Sequence, residues 1–224
     1  KRQGFSSGNP MLDRYALSLV AADRPKVCFL PTASGDDAGY TLEFFKAYSS
    51  YGCDPFVLNL FSREVEDISA YLLGMDMVYV GGGNTVNLLA VWRLHGVDHA
   101  LQDAWYGGVV LSGLSAGANC WFDASTTDSY LLGKADALAD GLGFLAGSFC
   151  PHYSSEPQRR PNYLGMVAEG TLPAGYACED GTAVYFAGTE LRTAVSVDGD
   201  ATAFRVSRVG NGASEETLPA VTPS

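Results

Sequence analysis

Val109-Val110-Leu111-Ser112-Gly113-Leu114-Ser115-Ala116-Gly117-Ala118-Asn119-Cys120-Trp121 is the stretch on which the reading of the fold turns. Val109 to Leu111 is apolar and predicts a strand. Gly113 and Gly117 bracket Ser115 in a tight turn, and the small residues after it predict the start of a helix. Gly113-Leu114-Ser115-Ala116-Gly117 fits the G-x-S-x-G pattern of a nucleophile elbow. In such an elbow a Cβ two positions before or after the Ser collides with neighbouring backbone. A helix after the turn aims its free N–H groups at the Ser oxygen, where negative charge develops during attack.

Upstream, strands and helices alternate. Helices are predicted over residues 11–21, 40–51, 64–73, 84–94 and 97–106, and strands over 26–30, 55–60 and 75–80. In the 40–51 helix, Leu42, Phe45 and Tyr48 are expected along one face. Such alternation predicts an α/β fold with a parallel sheet and helices on both faces. Sites in such sheets gather at the carboxyl ends of strands. Two strand ends here carry glycine clusters, Gly81-Gly82-Gly83 and the elbow itself.

Downstream the pattern changes. Residues 123–147 read as loops with short elements, 149–153 as a strand running into a polar loop, and 162–169 as a helix. Short strands follow at 175–178, 183–187, 192–197 and 202–206, with turns at Glu179-Asp180-Gly181 and Asp198-Gly199. They are expected as a meander that finishes or caps the sheet. Residues 1–10 read as loop, and the Gly-, Ser-, Glu- and Pro-rich residues from 210 read as a frayed tail. No linker or repeat divides the chain, so residues 1–224 are expected as one domain.

Composition narrows the function classes. The chain has 224 residues, 47% hydrophobic, with 25 acidic against 14 basic residues and a net charge of −11. That balance disfavours a nucleic-acid groove or a hold on an anionic membrane. No apolar run approaches a membrane span, and no signal peptide is visible. Five widely spaced cysteines without C-x-x-C argue for buried thiols in a reducing compartment, hence a cytoplasmic protein.

With three histidines, the search for a base is short. His95 and His99 are four apart but straddle Gly96, and no H-E-x-x-H pattern accompanies them. His152 follows Pro151 at a strand end and precedes Ser154-Ser155-Glu156. A Ser hydroxyl needs a neighbouring imidazole to take its proton, and a carboxylate to fix the imidazole tautomer. The available acids are Asp128, Glu156, Glu179 and Asp180, and sequence alone does not choose among them. For the oxyanion, Ala116 supplies one N–H and the Gly81–Gly83 loop a second. The loop lacks the lysine and spacing of a phosphate-binding loop.

Together these pieces resemble the aspartyl dipeptidase (dipeptidase E) family of serine peptidases, which includes the cyanophycinases. The resemblance rests on Val80-Gly81-Gly82-Gly83-Asn84-Thr85, on the Ser115 segment through Asn119, on Pro151-His152-Tyr153 and on Glu179-Asp180-Gly181-Thr182-Ala183, in family order over about residues 25–200. It implies a three-layer α/β/α sandwich, flavodoxin-like or class I glutamine-amidotransferase-like. It implies Ser115 as nucleophile, His152 as base, and Gly83 and Ala116 as the oxyanion hole. The acid falls at Asp128 in some members and in the later turn in others. Alignment on Gly181 favours Asp180, and the longer Glu179 stays open. Asn84, Asp128 and Arg159 are candidate substrate-binding residues, Arg159 as the cation that an aspartyl substrate needs.

The resemblance implies no metal and no cofactor. The expected partner is a small peptide, with a homodimer compatible and no nucleic acid or membrane. The expected reaction is hydrolysis of dipeptides or short peptides, with a preference for N-terminal aspartate. The alternatives are cleavage of β-aspartyl-arginine units and a non-catalytic binding module on the same scaffold. Family members open with a strand ahead of the first helix, and no clear apolar strand precedes Met11.

Overall fold

The structure is a computed structural model that describes residues 10–197 and 199–223. The expected loop over residues 1–9, Asp198 of the Asp198-Gly199 turn and Ser224 lie outside the described residues. The chain divides into two compact units, Lys1–Gly117 and Ala118–Ser224.

The first unit alternates as expected. Its elements are α1 (Met11–Ser18), β1 (Lys26–Leu30), α2 (Ala38–Ser50), β2 (Asp54–Val57), α3 (Ile68–Leu73), β3 (Met77–Val80), α4 (Thr85–His95), α5 (Val97–Tyr106) and β4 (Val110–Gly113). The strands pair in parallel in the order β2-β1-β3-β4. Both faces of the central strands are buried, which is why β1 and β3 read as continuous apolar runs. Val27, Phe29, Met77 and Tyr79 point to a cluster with Tyr40, Phe44, Ala47 and Tyr48 of α2. Phe29 stacks on Phe44 at 4.7 Å between ring centroids, and Phe44 on Tyr48 at 4.3 Å.

The buried face of α2 is therefore Tyr40, Phe44, Ala47 and Tyr48, a single i, i+4, i+7, i+8 stripe. The expected Leu42 is 54% exposed, because it falls on the opposite side of the helix from that stripe. The helix expected from residue 64 begins only at Ile68. Asp67 caps it, accepting from Ala70 N–H at 2.9 Å.

The second unit contains β5 (Phe122–Thr127), β6 (Asp136–Leu138), β7 (Leu145–Cys150), α7 (Arg159–Glu169), β8 (Gly175–Cys178), β9 (Thr182–Ala187), β10 (Glu190–Ser196), β11 (Ala203–Val209), β12 (Gly212–Thr217) and β13 (Ala220–Val221). Six strands run in the order β12-β11-β8-β7-β5-β6, with β5, β7 and β8 parallel. A separate sheet has the order β13-β10-β9. Tyr163 and Val167 of α7 pack with Cys150, Ala177 and Val206. The expected α/β fold, with parallel strands flanked by helices, is what the chain adopts.

Four expectations need correction here. The helix after Ser115 is a single turn, α6 (Ala116–Asn119). Phe122 then starts a strand where loops were expected, because the buried Ser125-Thr126-Thr127 run favours extended backbone. The four late strands are not one meander: β9 and β10 form a hairpin in their own sheet, while β11 pairs with β8. Last, the supposed frayed tail contains β12, antiparallel to β11. Its Gly, Ser and Glu content hid an alternation in which Ala213 packs on the core and Glu215 makes side-chain bonds.

Candidate active site

In the first unit the chain turns sharply at the end of β4. Leu114 N–H donates to Val80 O at 3.2 Å, and Gly117 N–H to Leu114 O at 2.8 Å. Ser115 sits at φ 52°, in the left-handed region that non-glycine residues avoid. The two elbow glycines are required by close approach. A Cβ on Gly113 would lie 2.2 Å from Gly117 O, and one on Gly117 would lie 2.3 Å from Val80 O. Ala116 opens α6, so its N–H has no acceptor within the helix.

The glycine loop follows β3. Gly83 has φ 143°, and a Cβ there would lie 2.1 Å from Ala33 O. Asn84 N–H donates to that same oxygen at 2.8 Å. The side chain of Asn84, expected at the substrate, accepts from Asn87 N–H at 2.8 Å and caps α4. The residue that abuts the nucleophile is Gly82. A Cβ there would lie 3.3 Å from Ser115 Cβ and 2.9 Å from Leu114 Cδ1. The sequence pointed to the Gly81–Gly83 loop, and the resemblance to Gly83 within it. The triplet was the signal for Gly82, and its register against the elbow was not readable.

The second unit holds the imidazole. His152 lies two residues past β7 at φ 56°, also left-handed. Its Nδ1 is 2.7 Å from Asp180 Oδ1, with both side chains about three-quarters buried. An ionised Asp180 makes Nδ1 the donor and leaves Nε2 as an acceptor, the tautomer a general base requires. Asp180 stands in the turn between β8 and β9, closed by Thr182 N–H and Oγ1 donating to Glu179 O at 3.1 and 2.7 Å.

The open choice between the two acids of that turn is thereby narrowed. Glu179 faces other partners: Oε1 accepts from Ser154 Oγ, and Oε2 accepts from Thr202 N–H at 2.8 Å. Tyr153 N–H donates to Cys178 O at 3.1 Å, which fixes the residue after His152.

Arg159 and Asp128 are brought together, with Arg159 Nη2 3.6 Å from Asp128 Oδ1. Arg159 Nε donates to Glu156 Oε2 at 2.6 Å, and Nη1 to Thr126 O at 3.2 Å. The expected substrate cation is thus 4% exposed and committed to the protein. Arg160 pairs with Glu215 and lies over the rings of Tyr153 and Phe204 at 5.4 and 5.3 Å. Glu215 also accepts from Tyr153 Oη at 2.6 Å. Burial alone would push the Glu215 carboxyl up. The hydrogen bonds from Arg160 and Tyr153 outweigh it and hold the group below the usual carboxylate range. Sequence reasoning missed Glu215 because it lies in the supposed tail.

His95 ends α4 and His99 lies in α5, with Gly96 at φ 70° between the two helices. Among the described residues no group of three or more His, Cys, Asp or Glu could hold a metal ion. All five cysteines are buried. No helix of the described residues is long and apolar enough to cross a membrane.

This arrangement has relatives. Residues 5–194 match the model of peptidase family S51. The chain is 44% identical over 218 residues to the uncharacterized peptidase YgaJ of Bacillus subtilis (strain 168), covering 96% of this chain and 94% of that one. It is 30% identical over 161 residues to peptidase E of Streptomyces coelicolor, covering 70% of this chain and 64% of the other. The crystal structure of a peptidase from an acI-B1 Actinobacterium shares the fold at a TM-score of 0.67 and 19% identity, covering 94% of this chain and 89% of the other. The chain therefore belongs to peptidase family S51 and is a serine peptidase.

Proposed function

We propose that the protein hydrolyses dipeptides or short peptides through an acyl-enzyme, with Ser115 as nucleophile, His152 as base and Asp180 as its orienting acid. Ser115 Oγ attacks the scissile carbonyl carbon while its proton passes to His152 Nε2. The oxyanion accepts from the N–H groups of Gly83 and Ala116, which a one-turn helix supports with little dipole of its own. Collapse breaks the C–N bond, and the imidazolium returns its proton to the leaving amine. Water then attacks the ester by the same proton route and frees Ser115.

The observation that carries this reading is the 2.7 Å bond from His152 Nδ1 to Asp180 Oδ1. A preference for N-terminal aspartate is not assigned to Arg159 or Arg160, since Glu156, Asp128 and Glu215 already engage them.

The test is a panel of dipeptides and tripeptides, with neutral, acidic and β-aspartyl-arginine members, assayed with wild type and Ser115→Ala. Wild type is expected to cleave neutral dipeptides and to be labelled at Ser115 by a fluorophosphonate. Full activity in Ser115→Ala would remove Ser115 as nucleophile. Release confined to the β-aspartyl-arginine member would move the substrate class.

A further inference from the structure

We propose that Arg159 is a positioning residue for His152, acting through the loop of residues 151–158. The inference rests on His152 being the base. Among the described residues, Asp13 and Arg159 are the buried members of the Asp, Glu, Lys and Arg set. A buried charge is costly unless it is paired and hydrogen-bonded on all sides. Arg159 meets that demand with groups from two places, and both bear on the histidine loop.

On one side is the loop itself. Arg159 Nε donates to Glu156 Oε2 at 2.6 Å, and Arg159 N–H donates to Glu156 O at 2.9 Å. Glu156 N–H in turn donates to His152 O at 3.2 Å. On the other side is the end of β5. Arg159 Nη1 donates to Thr126 O at 3.2 Å and lies 3.5 Å from Thr126 Oγ1, while Nη2 faces Asp128 Oδ1 at 3.6 Å. The planar guanidinium therefore straps the His152 loop to β5, and a lysine ammonium lacks the fork to do so.

His152 needs such a strap. Its φ of 56° is a conformation that persists only when its surroundings over-determine it. The opposite flank of the loop is held by Cys178 O and Glu179, which accept from Tyr153 N–H and Ser154 Oγ. With Arg159 removed, the loop loses its tie to β5, and His152 swings relative to Asp180. Asp128, an acid considered for the triad, thus acts through Arg159.

The full chain is tested as Arg159→Met, Arg159→Lys and Glu156→Gln. The first readout is the low-field Nδ1–H proton resonance of His152, assigned by its loss in His152→Gln and measured without substrate. The second is kcat and KM on the best peptide of the panel. Arg159→Met is expected to lose or broaden the resonance. Its kcat should fall about a hundredfold with KM within about threefold, the signature of misplaced chemistry rather than lost binding.

Arg159→Lys keeps the charge and is expected to stay about tenfold down in kcat. Glu156→Gln, at a half-exposed side chain, should fall between wild type and Arg159→Met, and it decides the matter if Arg159→Met does not fold. An unchanged resonance and kcat in the folded variants overturns the proposal. So does a wild type without the resonance. A wild type that shows the resonance but cleaves no peptide defeats the proposed hydrolysis instead, and the variants' resonances still judge Arg159.

Discussion

Replacing Asp180 by Asn tests the catalytic reading at its most informative atom. The change keeps the shape of the side chain and removes one negative charge 2.7 Å from His152 Nδ1. The surrounding turn has bonds of its own besides that carboxylate. Glu179 holds Thr202 N–H, and Thr182 bonds back to Glu179 O. The loss therefore belongs to the imidazole. If the new amide presents its NH2 group, Nδ1 must accept, the proton moves to Nε2, and the ring cannot take a proton from Ser115. Trapping that tautomer costs about 10⁴-fold in kcat, or about 5 kcal/mol. If the amide presents its oxygen, the tautomer survives but the imidazolium loses its counter-charge, and the loss is about 10²-fold. The expected outcome is a kcat between those limits with KM little changed, at unchanged circular dichroism. Glu179→Gln is the control and should cost less than about tenfold. Fluorophosphonate titration of active sites separates a slow enzyme from an unfolded one. An Asp180→Asn variant within about threefold of wild type, or a Glu179→Gln variant as slow as Asp180→Asn, would refute the assignment.

Asp13 of α1 is buried, and that desolvation, only partly offset by the hydrogen bond from Tyr48, raises its carboxyl from 3.8 to about 6. Its ionisation is therefore penalised in the folded state: the penalty is absent below about pH 3.8, grows through that window and is complete above about pH 6. It amounts to about 3 kcal/mol at 1.36 kcal/mol per pH unit. Urea unfolding should show Asp13→Asn more stable than wild type at pH 7.5 and no more stable at pH 4; an advantage independent of pH would contradict the burial account. At Ser115 the sign of a familiar comparison should reverse. At ordinary φ an Ala variant is more stable than a Gly variant, but at φ 52° Ser115→Gly should exceed Ser115→Ala by about 1 kcal/mol in thermal unfolding, with both inactive.

Much of this was legible because glycine and apolar periodicity record steric facts. The parallel strands of the first unit were readable since β1 and β3 are buried on both faces and so apolar throughout. The elbow was readable since Gly113 and Gly117 each stand where a Cβ would meet a carbonyl oxygen near 2.2 Å. What stayed hidden was decided by partners distant in sequence. Glu179 and Asp180 are neighbours in one turn, and only the pairing of β8 with β11 gives the former Thr202 N–H and leaves the latter to His152. Arg159 looked like a free cation because Glu156 and Thr126 become its acceptors only once α7 lies by the end of β5. Glu215 looked like tail because strand pairing with β11, rather than its own composition, makes β12.

Backbone strain supplies the last link between sequence and site. Among the described residues, three non-glycine positions have positive φ: Asp36 at 56°, Ser115 at 52° and His152 at 56°. Each follows a parallel strand, β1, β4 and β7 respectively. Asp36 has a local explanation, since Asp visits this region readily and its Oδ2 accepts from Leu60 and Phe61 N–H at 2.6 and 2.9 Å. Ser has no such intrinsic excuse, and His only a partial one. A chain free to optimise stability alone would place glycine at both, as it does at Gly83, where only glycine fits. A hydroxyl and an imidazole occupy these positions at the cost of backbone strain. The strain is local to the two groups that the proposed reaction needs. Gly113 and Gly117 give the Ser115 turn the room it needs, and in the proposed strap the Arg159 network does the holding around His152.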